Sequence, residues 1–456
     1  EMAGRTTGRR CVTLAGMLAW TLVRVGALPV MTFSPSRFPS ARLSLGAGVL
    51  LSGLFMAGCA DARVHESRTP MAPPVGHHNN VDAGFADWLT AFRVDALKAG
   101  ITGKTFDRAM AGVTPDLDVV SSDQNQPEFV KPVWVYINGA LSDKRVARGK
   151  LLLVENKSLL DRLEKAYGVD RNTVVAIWGL ESNFGDFMGS QRVVRSLATL
   201  AYEGRRKDYG RSQLLAALKI IQAGDVGPEG LLGSWAGAMG QTQFIPTTYL
   251  AHAVDFDGDG KRNIWTSRAD TLGSTAHYLE VSGWETGAHW GYEVTTPAGF
   301  DYALADMAVK KSVEGWRKLG VKRVDGKPFA TKDATAAGAI FLPAGHKGPA
   351  FLVLNNFKTI LSYNASTSYA LAVSLLADRF RGAGVIKGEW PLDERPLTRA
   401  EREELQELLN DKGYGLGKPD GIIGFNTRKA IRAYQVKSRL PADGYATSSL
   451  LDHLRR

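Results

Sequence analysis

Beyond Cys59 the chain has no cysteine, and the only other one is Cys11. The folded body can therefore hold no disulfide, no thiol nucleophile and no Cys/His zinc site. Lys/Arg-rich runs with interleaved aromatics are also missing, so a nucleic-acid partner is not expected. Long apolar runs are scarce: residues 43–58, LSLGAGVLLSGLFMAG, are too short and glycine-rich for a membrane span. What remains is ordinary globular composition, 44% hydrophobic and 22% charged over 456 residues, with room for two or three domains. The net charge of +10 overstates the basicity of the body. Six arginines and one acidic residue precede Cys59, so the remainder carries only +5, which suits an anionic polymer or surface.

Arg37 and Arg42 stand before the apolar run, the basic-then-apolar build of a secretory signal, and Met31 would open such a signal. Residues 1–58 are thus read as a leader. Met56-Ala57-Gly58-Cys59 resembles a bacterial lipobox, with Met56 where Leu is usual. That resemblance implies that Cys59 becomes a lipidated N-terminus and membrane anchor. Ala60 after it favours the outer membrane, facing the periplasm. An ordinary signal peptide cleaved nearby, with Cys59 incidental, is the plainer alternative. Residues 59–80, with Pro70, Pro73, Pro74 and the His77-His78 pair, read as a flexible tether.

Residues 81–385 read as a helical body. Phe85, Trp88, Leu89, Phe92, Ala96 and Leu97 recur at helical spacing, and Gly100 closes the run. Helices are expected over 145–153, 157–167, 190–201, 211–223, 231–252, 270–281 and from Tyr369 to Arg381. Ala339–Leu342 and Phe351–Leu354 suggest a small β-rich insertion between about 290 and 355. Residues 386–396 form a linker. Beyond it, 397–456 carry a capping box at Thr398 and Glu401, Leu405, Leu408 and Leu409 on one face, and two Asp-Gly turns, Asp420-Gly421 and Asp443-Gly444. This predicts a separate module of three short helices.

The stretch V-V-A-I-W-G-L-E-S-N-F-G, from Val174 to Gly185, concentrates the chemistry. Asp170 is a good N-cap, the apolar run suits a buried helix, and Gly185 suits the turn beyond its end. Glu181 then sits in the last turn, beside the negative end of the helix dipole and apolar walls, and both raise a carboxyl pKa. A carboxyl kept neutral near pH 7 is what a general acid requires. A helix-terminal glutamate that merely reaches solvent is the bland reading.

Residues 233–249, G-S-W-A-G-A-M-G-Q-T-Q-F-I-P-T-T-Y, combine small residues that permit close backbone approach with Ser234, Gln241 and Gln243, neutral groups suited to sugar hydroxyls and acetamides. Tight packing would explain the glycines equally well, though less readily the glutamines. Tyr363-Asn364-Ala365-Ser366 with Tyr369 forms a polar aromatic cluster that could equally cap a helix, and Tyr278 follows an aspartate-rich loop.

G-L-E-S-N-F-G, the 233–249 segment, D-F-D-G-D-G and Y-N-A-S, in this order, resemble the family B membrane-bound lytic murein transglycosylases over roughly 81 to 385. The last sixty residues resemble the helical peptidoglycan-binding module that often follows. The resemblance implies a predominantly α, lysozyme-like (α+β) catalytic domain acting on peptidoglycan glycan strands, as a monomer and with no catalytic cofactor. It implies cleavage of the β-1,4 bond between N-acetylmuramic acid and N-acetylglucosamine, with Glu181 as the single acid/base and 1,6-anhydromuramoyl ends as product. By the motif match Ser234, Gln243, Tyr278, Asn364 and Tyr369 line the glycan cleft, with Met239 and Tyr363 in the same motifs. Gln241 stands where some relatives carry Tyr, so the local subsite is expected to differ.

Two other readings stay open. Asp186, five residues after Glu181, allows a two-carboxylate muramidase, a hydrolase. A non-catalytic wall-binding lipoprotein is the third. Separately, Asp255, Asp257, Asp259 and Gly260 match positions 1, 3, 5 and 6 of an EF-hand calcium loop, and Lys261 could add its carbonyl at position 7. The twelfth residue is Thr266 rather than Glu. Asp270 matches a later ligand position of the family. Structural calcium is the expectation, and a self-stabilised Asp-Gly turn is the alternative.

Overall fold

The computed structural model describes residues 78–124 and 132–456. The leader, Cys59, and residues 60–77 of the tether lie outside the described residues.

Helices dominate, and they assemble around two large apolar cores. In the first, Val174, Val175, Ile177 and Trp178 of the helix Arg171–Ser182 meet Leu371, Val373 and Leu376 of the helix Thr367–Phe380, with Phe351 and Val353 from a sheet. The second joins the helices His78–Lys98, Val193–Tyr202 and Lys207–Ala223 through Phe85, Phe92, Leu197 and Leu218. In the last of these helices Leu214, Ala217, Leu218 and Ile221 are buried, an i, i+3, i+4, i+7 stripe that fixes its inward face. Gly210 lets it press against its neighbour: a Cβ there would lie 2.4 Å from the Ala201 amide nitrogen. Tyr363 packs at the margin of both cores and so marks the seam between them.

The β-rich insertion is a five-stranded antiparallel sheet, ordered Lys311–Ser312, Ala337–Phe341, Ala350–Val353, Gly291–Thr295, Lys322–Arg323. Trp316, Ile340 and Leu352 fill a small core on it.

One expected helix is largely absent. Of 231–252 only Pro246–His252 is helical, opened by its proline at the first position. The preceding stretch is irregular because Gly237, Gly240 and Gln243 take φ of 90°, 61° and 52°, outside helical geometry. Leu232–Gly233 instead pairs with Gln191–Arg192. Among the helices that carry no expectation from the sequence, Val133–Ala140 and Asn355–Tyr363 border the site described below.

The C-terminal module has the three expected helices, Arg399–Asp411, Phe425–Lys437 and Ser448–Leu454, around Leu405, Leu409, Ile431 and Leu451. The Thr398–Glu401 capping box forms. The two Asp-Gly turns are held by one device used twice. Gln406 Oε1 accepts from the Asp420 and Gly421 amides, and Gln435 Oε1 accepts from Gly444.

The segment 386–396 is pinned along its course. The Lys387 and Gly388 amides donate to Glu293, Trp390 packs 6.2 Å from Trp134, and buried Glu394 accepts from Lys347. The module itself docks through an Arg432–Asp306 ion pair and the His346 amide, which donates to Asp443 at 2.8 Å. No helix among the described residues is long and apolar enough to cross a membrane.

Candidate active site

Asp170 starts the helix that carries Glu181: its Oδ1 accepts from the Thr173 amide at 2.9 Å, a cap worth about 1 kcal/mol. Thr173 to Gly179 are all buried, so the helix is clamped along its length. It ends in an unusual turn. Asn183, Phe184 and Gly185 follow one another at φ of 50°, 60° and 90°. Asn and Gly tolerate this left-handed backbone, but for Phe184 it costs about 1–2 kcal/mol. Tertiary contacts hold it there. The Phe184 amide donates to the Trp178 carbonyl at 3.1 Å, and its ring meets the Trp178 indole edge-on at 5.6 Å. Gly179 leaves the room, since a Cβ there would lie 2.7 Å from the Phe184 ring.

Glu181 is thereby fixed one residue from the helix end, with its carboxyl sunk into the protein. Desolvation raises its pKa to about 7, opposed by the nearby Tyr369 hydroxyl, which lies close to the carboxyl without a hydrogen-bond partner among the described residues. Among the described residues no charged group contributes to that shift. Three phenols surround the carboxyl. Tyr369, two residues past its helix's first, is 5% exposed with its hydroxyl buried. Tyr363 closes the helix Asn355–Tyr363 and donates to the Thr242 carbonyl at 2.7 Å. Tyr136 comes from the helix Val133–Ala140. Burial first, then the charge of Glu181, raises the pKa of all three, so they stay protonated donors.

Asp186 is placed differently. It is exposed, gripped bidentately by Arg148, and accepts from Asn183 at 3.0 Å. Those bonds hold its carboxyl below the usual carboxylate range.

The irregular 231–245 segment faces this turn. Ser234 Oγ accepts from the Ala238 amide at 3.0 Å. Gln243 donates to the carbonyls of Gly240 at 2.8 Å and Met188 at 3.1 Å, and its Oε1 accepts no hydrogen bond among the described residues. Gln241 is buried. Its Oε1 accepts from the Trp178 indole at 2.8 Å and its Nε2 donates to the Trp265 carbonyl at 2.8 Å. Gly185 packs on the same amide, because a Cβ there would lie 2.5 Å from Oε1.

Matches to known proteins follow the same elements. The Transglycosylase SLT domain family matches residues 84–378, and a peptidoglycan binding domain family matches 398–454. The chain belongs to the SLT transglycosylase family. Membrane-bound lytic murein transglycosylase B of Escherichia coli (strain K12) is 32% identical over 256 residues, 54% of this chain and 67% of that protein. The crystal structure of SltB3 from Pseudomonas aeruginosa in complex with NAG-anhNAM-pentapeptide is 56% identical. It covers 82% of this chain and 99% of that one at a TM-score of 0.80. Escherichia coli lytic transglycosylase Slt35, solved in complex with calcium, is 27% identical over 68% of this chain and 98% of that one, at a TM-score of 0.55.

This SLT transglycosylase has the helix-rich, lysozyme-like architecture and the helical C-terminal module expected from the sequence. It brings most of the motif residues to one place. Tyr278 meets Tyr363 edge-on at 5.1 Å and donates to the Ser362 carbonyl. Asn364 is exposed beside them, and its Oδ1 accepts from the Ser366 amide at 3.0 Å.

Two residues are placed otherwise than expected. Met239 is 0% exposed and belongs to the second core, where its amide donates to the Phe244 carbonyl. It supports the floor and offers a glycan no surface. Gln241 does not reshape a subsite, since both ends of its amide are consumed inside the protein. Tyr136 escaped the sequence reading. The V-W-V-Y run gives no polar signature, and only packing brings it to Glu181.

In the aspartate loop Asp255, Asp257, Asp259 and Asp270 each offer an oxygen within 4.8 Å of the others. Asp270 is fully buried and accepts from the Phe256 and Asn263 amides at 2.7 Å, while the Lys261 amide donates to Asp259 at 2.9 Å. Four converging hard oxygens, one carboxylate among them buried, suit a divalent cation such as calcium.

Proposed function

We propose that Glu181 is the sole acid and base of a reaction that cleaves the β-1,4 bond between N-acetylmuramic acid and N-acetylglucosamine in peptidoglycan and closes a 1,6-anhydro ring. One observation carries this reading: a desolvated carboxyl with a pKa of about 7, ringed by phenols and, among the described residues, without a second carboxylate beside it. Half-protonated near neutrality, it can first give its proton to the leaving glycosidic oxygen. The carboxylate left behind then removes the proton of the muramic 6-hydroxyl, which attacks the anomeric carbon in place of water. The substrate's own acetamido carbonyl stabilises the oxocarbenium-like centre, so no protein nucleophile is needed. The buried, unpartnered Tyr369 hydroxyl is placed to donate to the carboxylate as it forms, while the desolvated site favours the acid.

The hydrolase reading needs Asp186 free to activate water or attack, yet Arg148 occupies it. The anhydro sugar bound in the SltB3 relative carries the ring-closed end that this chemistry leaves. Ser234, Gln243, Tyr278 and Asn364 serve as glycan-contacting groups, with the open Gln243 Oε1 available to a sugar hydroxyl or amide. Asp255, Asp257, Asp259 and Asp270, with the Lys261 carbonyl, would hold calcium. The ion would neutralise their mutual repulsion and stiffen the loop, as the calcium complex of Slt35 supports. The chain acts on the periplasmic wall from an outer-membrane lipid anchor at Cys59. The basic-apolar leader and the membrane-bound description of the E. coli relative support this.

Mass spectrometry of muropeptides released from purified sacculi tests the chemistry. Wild type and Asp186→Asn should both yield anhydro ends. Glu181→Gln should lose on the order of 10²–10⁴ in rate or more, because one residue carries both proton transfers, while still binding sacculi. Reducing-end products that vanish with Asp186→Asn would give the case to a hydrolase.

A further inference from the structure

The catalytic body and the C-terminal module enclose a cavity of about 170 Å³. Trp134 and Ser368 reach it from the body, Glu394 from the connecting segment, and Arg428 and Tyr445 from the module. Arg428 is the exceptional group among them. It is half-buried, its Nε reaches the Ile423 carbonyl at a weak 3.5 Å, and its two terminal nitrogens have no partner among the described residues.

Neighbouring charges do not compensate it. Asp306 is the acidic group felt by Arg428, but Arg432 takes it in an ion pair. Glu394 accepts from Lys347, Ser448 and Ser449, and Arg402 donates to the Gly421 and Leu397 carbonyls. Burial outweighs the pull of Tyr445 and of the already paired Asp306, and it lowers the Arg428 pKa. Partly buried cations are ordinarily paired, and a guanidinium fork with both ends vacant matches a planar carboxylate.

The cavity also lies next door to Glu181. Ser368 lines it, and the following residue, Tyr369, meets the Glu181 carboxyl. Trp134 lines it, and Tyr136, two residues on, also faces Glu181. The helices Val133–Ala140 and Thr367–Phe380, each about 10 Å across, thus border both the cavity and the Glu181 site. An extended peptide spans roughly 3.3–3.6 Å per residue, so a pentapeptide stem on a muramic residue near Glu181, about 17 Å long, is long enough to pass round one such helix.

We infer that this interdomain cavity takes the C-terminal carboxylate of a peptidoglycan stem peptide, with Arg428 as its counter-ion. The inference rests on the peptidoglycan activity proposed above and assigns the docked module a direct part in substrate selection. Glu394 beside Arg428 adds a preference for chains that bring no second anion to that wall.

Calorimetric titration of the full chain with the free stem pentapeptide, its C-terminal amide, and acetate provides the test. The free peptide should bind roughly tenfold tighter than its amide, and acetate should be weak, which separates the peptide from any small anion. Arg428→Gln should erase the difference between acid and amide, and Arg428→Lys should restore part of it. In turnover, the ratio of kcat/KM on stem-bearing strands to that on amidase-stripped strands should fall about fivefold in Arg428→Gln. Equal binding of acid and amide by the wild type overturns the proposal even if the variant does not fold. An unchanged ratio, or equal losses on both strands, overturns it too and leaves Arg428 a docking role. Failure of the wild type to release anhydro ends from either strand would instead sink the underlying activity.

Discussion

The Trp178 indole donates to Gln241 at 2.8 Å, and this buried bond ties the helix that carries Glu181 to the glycine-rich 231–245 segment. The same amide backs Gly185, the third left-handed residue after Glu181, and anchors to Trp265. Gln241 thus braces two strained turns against each other, the 183–185 turn and the one in which Gln243 stands at φ 52°.

Gln241→Leu keeps the volume and removes both bonds, leaving the Trp178 N–H and the Trp265 carbonyl unpaired. Urea unfolding should show a loss of about 1–3 kcal/mol. Because Trp178 lies one turn before Glu181, kcat should fall more than about tenfold while KM changes little. Unaltered kcat in a destabilised protein would reduce Gln241 to a packing residue.

The acid form of Glu181 starts the reaction, so kcat/KM should decline as pH rises through about 7, with a limiting slope of one proton. Glu181→Gln should leave only residual activity without that inflection. A profile flat from pH 6 to pH 8 would contradict the assignment of this carboxyl as the acid.

Stability should fall over the same rise in pH, through the same group. Folded Glu181 keeps its proton up to about pH 7, whereas the unfolded chain releases it near 4.5. Its contribution is intact below pH 4.5 and is lost as pH climbs to 7, roughly 3 kcal/mol in all. Glu181→Gln should therefore melt above wild type at pH 8 and level with it at pH 4. Differential scanning calorimetry at the two pH values checks this.

Calcium should raise the melting temperature, since binding to the folded loop alone adds about 2.7 kcal/mol at a hundredfold excess over Kd. Asp257→Asn combined with Asp259→Asn should abolish that rise with little effect on kcat. A melting curve indifferent to both calcium and chelator would favour a self-stabilised turn.

Cys59→Ala should release the protein from a salt-washed membrane fraction into the soluble one. Equal retention of the variant would exclude lipidation as the anchor.

Local chemistry made much of this protein legible from its residues. Asp170 as N-cap, the Thr398–Glu401 box, the helical stripes and the β runs at 337–341 and 350–353 are set by near neighbours and by burial periodicity. Glu181 was legible as well, because an apolar run ending in one carboxylate already predicts desolvation. Tertiary structure decided the rest. The 231–245 segment is small and apolar enough to suggest a helix, yet Gln243 stands at φ 52°, which its own residue type does not favour, with its side chain bonded to the distant Met188 carbonyl. Gln241 and Met239 stand in the motif beside Gln243, but packing turns them inward. Tyr136 joins Glu181, and Arg428 meets Trp134 and Ser368 around one cavity, only across elements distant in sequence. Neighbourhood of that kind depends on how cores close around each other, and the order of residues along a chain does not encode it locally.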